Sequence, residues 1–110
     1  MKEETLLAID RFRDERDWRQ FHNPKDLAIS ISLEASELLE LFQWKSNEEV
    51  VGVNTERLKE ELADVLIYIT MLAEDLDFDM DDIVMEKLKK NAVKYPVKES
   101  KGKKTKYDRL

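Results

Sequence analysis

Residues 55–76, TERLKEELADVLIYITMLAEDL, decide the fold. Leu58, Leu62, Val65, Ile69, Leu72 and Leu76 recur at alternating spacings of three and four, the period of an α-helix packed along its length. Glu61 and Tyr68 flank this stripe, with Asp64 beside them, so the acids of this helix lean toward its apolar side. An ionised carboxylate loses several kcal/mol on burial unless a cation accompanies it, which makes the placement informative.

Upstream, Lys45–Asn54 carries Ser46, Asn47, Gly52 and Asn54 and reads as a loop with room for a short helical turn. Before it, Asn23 caps a helix with Pro24 at its first position and Asp26 in its first turn, running from about Pro24 to Trp44. Leu27, Ile31, Leu38 and Leu41 of that helix share an arc with Glu34, whereas Ser32, Ser36, Glu40 and Gln43 face outward. A first helix over about residues 3–20 places Leu6, Ile9, Phe12 and Arg13 at helical spacing and ends near Trp18 and Phe21. Downstream, Asp79, Asp81 and Asp82 suit the start of a fourth helix that passes Leu88 and Asn91 and stops before Pro96. Asn91 shares a stripe with Val84, Leu88 and Tyr95 and so needs an interior partner.

The result is an all-α four-helix bundle over residues 1–96, followed by a basic tail, 97–110, expected to be extended or flexible. Two glycines and two prolines leave little turn material for an all-β fold, and 42% hydrophobic against 40% charged residues excludes a disordered chain. A domain of this size buries a modest fraction of its surface, so completion of the core by homo-oligomerisation is expected. Absence of cysteine excludes disulfides and thiolate metal sites. No run reaches membrane-spanning length and the N-terminus lacks a signal-peptide core, which makes the cytoplasm the expected compartment. The tail holds six Lys/Arg against two Asp/Glu, leaving 13 against 23 in the body, a net of −10 that repels nucleic acid. Such a tail is either a solvated end or one whose Lys103, Lys104 and Lys106 fold over to meet phosphates.

Glu34/Glu37 and Glu61/Asp64 each lie three residues apart, on one face of a helix. That spacing alone is common on charged helices; the lean toward the apolar arcs is what singles these pairs out. Lys45 and Arg57 lie at helix ends and Lys59 points away, so a metal ion is the expected counter-charge. Oxygen ligands without His or Cys suit a hard ion, magnesium first, with manganese as a substitute. A di-iron site would need Glu-x-x-His pairs, and the one histidine, His22, stands beside a helix break and is assigned no chemistry.

These blocks resemble the MazG-like superfamily of all-α nucleotide pyrophosphohydrolases, and its dCTP pyrophosphatase branch in particular. The resemblance is carried by Glu34-x-x-Glu37 and Glu61-x-x-Asp64, by ERDWRQFH over 15–22, ELLELFQWK over 37–45, EELADVLIY over 60–68, and Asn91 with KYPV over 94–97. It implies magnesium held by Glu34, Glu37, Glu61 and Asp64, conversion of a nucleoside triphosphate to the monophosphate and pyrophosphate, and a homo-oligomer, tetramer rather than dimer. It further implies that Trp18 and Trp44 sandwich the base, that Tyr68 contacts the nucleotide, and that Lys87, Asn91 and Tyr95 help hold it. Where close relatives place a histidine near the base, this sequence has Ile9, which removes a hydrogen-bonding group and weakens strict cytosine preference. Two rival readings are a related enzyme acting on dUTP and a non-catalytic homo-oligomeric module whose acids pair across an interface and whose tryptophans anchor it.

Overall fold

The computed structural model describes residues 1–110 and contains helices and turns without a β-strand, the all-α fold expected. In chain order the helices are α1 (Glu3–Glu15), α2 (Pro24–Glu40), α3 (Asn47–Val53), α4 (Thr55–Asp75), α5 (Met80–Lys94) and α6 (Val97–Ser100), with single 3₁₀ turns at Arg19–Phe21 and Tyr107–Arg109. None is long and apolar enough to cross a membrane. The chain forms two compact units, Met1–Asp77 and Phe78–Leu110.

In the first unit α4 is the central element, and α1, α2 and α3 all pack on it. Ile9, Leu27 and Met71 form the buried core, with Ile67, Tyr68 and Leu72 packed around it. Full burial of a residue such as Leu27 stabilises the fold by about 1.5–3 kcal/mol. On α4 the buried face differs from the stripe read in the sequence. Leu62, Ile69 and Leu76 are exposed, while Thr70, Met71 and Ala73 are buried. The cause is the breadth of the apolar surface: with Leu62, Leu66 and Ile69 outside and Ile67 and Met71 inside, the sequence carries two apolar faces, and only one meets α1 and α2.

The helix ends set the site. Expected to reach residue 20, α1 stops at Glu15, because Asp17 takes a left-handed conformation at φ 53°. The Asp17 N–H donates to the Asp14 carbonyl (3.0 Å) and the Trp18 N–H to the Arg13 carbonyl (3.1 Å), a Schellman closure that turns Trp18 back toward the core. Asn23 caps α2 as read from the sequence, accepting the Asp26 N–H at 2.8 Å. That helix ends at Glu40, short of Trp44, and the loop that follows holds α3, whose Val50 is fully buried and whose Ser46 accepts the Glu49 N–H.

A charged cluster joins α1 to α4. Arg13 is fully buried and donates two hydrogen bonds of 2.8 Å to Asp75. Arg19 bonds Asp14 and reaches Asp10 at 3.3 Å and Asp75 at 3.6 Å. The Arg19 hydrogen bond holds Asp14 below the usual carboxylate range. Burial and a hydrogen bond with Asp10 push Glu74 up to about 7, against the pull of Arg13 and Arg19.

In the second unit Asp79 caps α5 by accepting the Asp82 N–H at 3.0 Å, the acidic start anticipated. The tail is not extended. Val97–Ser100 forms α6 after Pro96, and the chain returns so that Tyr107 meets Tyr95 edge-on at 6.0 Å while Lys94 Nζ sits 4.8 Å from the Tyr107 ring. These ring and cation contacts give a lysine-rich segment a partner that its composition did not suggest. Ile83, Val84, Met85, Leu88 and Val93 of α5 are exposed, and Asn91 is half-buried.

Candidate active site

Glu34 on α2 and Glu61 and Asp64 on α4 converge, each offering an oxygen within 4.8 Å of the others. Their helices pack side by side, and the three-residue spacing puts Glu61 and Asp64 on the face that meets α2. Glu37 lies beside Glu61, close enough for its charge to oppose that of Glu61, and shares a cavity wall with it. Burial, Glu37 and Asp64 raise the proton affinity of Glu61, and Arg57 opposes them. Glu34 Oε2 and Glu61 Oε2 are buried without a hydrogen-bond partner. Orphaned, all-oxygen donors crowded to this degree fit a hard divalent cation, which would satisfy their lone pairs and offset their repulsion.

Two cavities border these acids. The apolar one, about 570 Å³, is walled by Ile9, Phe12, Trp18, Ile67, Tyr68 and Met71, with Glu34 and Asp64 at its edge. Burial and the nearby Glu34, Asp64 and Glu37 push the Tyr68 hydroxyl up, so it stays a protonated donor at neutral pH. The polar cavity, about 430 Å³, has Glu37 and Glu61 in its wall with Lys45, Asn54 and Arg57. Arg57 Nη2 lies 3.6 Å from Glu61 Oε1.

The structure brings three of the four expected acids together, Glu34, Glu61 and Asp64, and leaves Glu37 beside Glu61 in the wall of the polar cavity; Trp18 and Tyr68 line the apolar cavity, as does Ile9. Trp44 does not join Trp18 in that cavity; it is 94% exposed and held at φ 62°. The turn after Glu40 aims it away from its own chain's core, so the expected sandwich is not closed within one chain. Lys87, Asn91 and Tyr95 belong to the second unit.

Two contributors were missed. Arg57 was set aside as a helix-end residue, although its spacing of four from Glu61 was the available signal for an ion pair. His22, given no chemistry, lies edge-on to both Trp18 and Tyr68, with ring centroids 6.4 Å from each. No spacing rule links residues 22 and 68, so only the fold reveals that contact.

Helices that turn carboxylates toward one another, beside an apolar aromatic cavity, define an all-α protein built around an acidic cluster whose oxygens suit a divalent cation. The MazG-like family model matches residues 29–110, and the chain belongs to that family. It is similar to dCTP pyrophosphatase 1 of Mus musculus, 44% identical over 98% of this chain and 69% of the relative. The Homo sapiens dCTP pyrophosphatase 1 is 40% identical over the same shares. A crystal structure of a pyrophosphatase from Archaeoglobus fulgidus superposes with a TM-score of 0.76 at 45% identity, covering 86% of this chain and 91% of that one.

Proposed function

We propose that this nucleotide pyrophosphohydrolase acts on nucleoside triphosphates, dCTP or a related or modified dNTP, releasing the monophosphate and pyrophosphate to cleanse the nucleotide pool. The observation that carries the reading is the pair of orphaned buried oxygens, Glu34 Oε2 and Glu61 Oε2, beside an aromatic cavity of about 570 Å³. Glu34, Glu37, Glu61 and Asp64 would hold magnesium, which supplies charge neutralisation for the triphosphate and lowers the pKa of the attacking water.

The chain's own residues do the rest. Trp18 offers an aromatic face to the base, and Tyr68 donates its hydroxyl toward the sugar or phosphate. One cluster glutamate orients the water or takes its proton as the new oxygen–phosphorus bond forms at the α-phosphorus. The bond to the bridging oxygen breaks, and pyrophosphate leaves. Ile9 presents no hydrogen-bonding group to the base, which favours tolerance over strict cytosine selection.

Assembly into a homo-oligomer is supported by the thin core and by exposed Leu33, Leu39, Trp44 and Val53, and the family resemblance favours a tetramer over a dimer. Trp44 would then complete the base sandwich in another copy's site, and Lys87, Asn91 and Tyr95 would hold the nucleotide. The test is turnover of each dNTP and NTP in magnesium with the products resolved. Monophosphate plus pyrophosphate from the wild type, lost in Glu61→Gln, is the expected result; diphosphate plus orthophosphate, or equal activity in both proteins, overturns the reading.

A further inference from the structure

His22 is fixed on both sides. Its N–H donates to the Arg19 carbonyl at 3.1 Å, closing the 3₁₀ turn, and the next residue is the Asn23 cap of α2. Its ring meets Trp18 at an interplanar angle of 71° and Tyr68 at 77°, both edge-to-face. Trp18 and Tyr68 wall the apolar cavity, whereas His22 lines a separate charged recess with Arg19, Glu74 and Asp75. The imidazole therefore stands behind two cavity rings, Trp18 from the turn that follows α1 and Tyr68 from α4. Its Nδ1 is buried without a hydrogen-bond partner, so the ring faces, and not a hydrogen bond from that nitrogen, make the contact. Burial and the Arg13 guanidinium lower its proton affinity against the pull of Asp75, which favours the neutral ring for packing.

We propose that His22 is a positioning residue for the nucleobase, a wedge that fixes the separation and tilt of the Trp18 and Tyr68 rings through edge-to-face contacts with both. The inference rests on the nucleotide reading of the apolar cavity. It assigns His22 no contact with substrate: it acts on affinity through Trp18 and Tyr68 and leaves the carboxylate row untouched.

The test compares His22→Ala, which removes the ring, with His22→Phe, which keeps a ring of similar breadth without ring nitrogens. Loss of two aromatic contacts should raise KM for the preferred dNTP about tenfold in His22→Ala with kcat changed less than about threefold, and His22→Phe should restore KM to within about threefold. A second measurement needs no substrate. In nucleotide-free protein carrying Trp44→Phe, so that Trp18 alone fluoresces, acrylamide quenching should increase in His22→Ala and return toward the wild-type value in His22→Phe. Unchanged KM and quenching in His22→Ala overturn the proposal, as does a fall in kcat with KM constant. If His22→Ala does not fold, His22→Gln serves as the ring-less variant under the same criteria. Failure of the wild type to turn over any dNTP would instead overturn the nucleotide reading, while the quenching comparison still decides whether His22 sets the Trp18 environment.

Discussion

Arg13 and Asp75 meet through two parallel hydrogen bonds of 2.8 Å, joining the last turn of α1 to the last residue of α4. The guanidinium is fully buried, and it lies at the carbonyl end of α4, where the helix dipole favours a cation. Removal of Asp75 leaves the Arg13 charge buried with only Asp10, 3.7 Å away, as an ion-pair neighbour. Asp75→Asn should destabilise the chain by about 3–5 kcal/mol in denaturant unfolding, whereas Arg13→Met with Asp75→Leu should cost less than the two single changes summed. Additive costs would show that the pair carries no coupling.

Glu61 is the cluster acid whose charge is opposed by its surroundings, through burial, Glu37 and Asp64. Glu61→Gln removes one member of that repulsion. Without metal its unfolding midpoint should equal or exceed the wild type's, while the rise on adding magnesium should shrink and turnover should fall by at least about a hundredfold. A variant stabilised by magnesium as fully as the wild type would remove Glu61 from the ligand set.

Glu74, raised from 4.5 to about 7 beside Asp10, gives the fold a pH dependence. The folded state holds this proton more tightly than the unfolded chain, so its stabilising contribution is complete below about 4.5 and is lost as pH rises through about 7. Glu74→Gln should flatten that slope and leave the variant about 1 kcal/mol more stable than the wild type at pH 8. Parallel stability curves from pH 5 to 8 would contradict the assignment.

Trp44 combines 94% exposure with a left-handed backbone, a conformation that bulky residues adopt at a cost of about 1–3 kcal/mol. Asn tolerates that conformation better. Trp44→Asn should leave the fold intact by circular dichroism yet weaken binding of a non-hydrolysable dNTP at least about tenfold in calorimetry. Undiminished affinity would exclude Trp44 from the site.

What could be read from the sequence was what local rules encode. The cap at Asn23, the acidic start at Asp79 and the arc of Leu27, Glu34 and Leu41 follow from helix period and capping chemistry, whereas the meeting of Glu34 with Glu61 and Asp64 was legible only from their lean toward the apolar faces together with the family resemblance. The end of α1 was missed because Asp17 makes a closure usually signalled by glycine. The buried face of α4 was misjudged because its apolar surface is wider than one neighbour covers, a choice made by packing partners and not by period. The Tyr95–Tyr107 contact and the His22 wedge join residues with no sequence spacing rule between them, so nothing local announces either.

The unlike polarity of the two recesses flanking the carboxylate row has a bearing on turnover. On the proposed reading an intact nucleotide spans both, its base in the aromatic room and its terminal phosphates toward Lys45 and Arg57. Scission at the α-phosphorus severs that bridge, so each fragment keeps a grip on one room only and forfeits the advantage of being tethered to the other. The same asymmetry that orients the substrate on arrival thus loosens the hold on both products after the bond is broken, which favours their release.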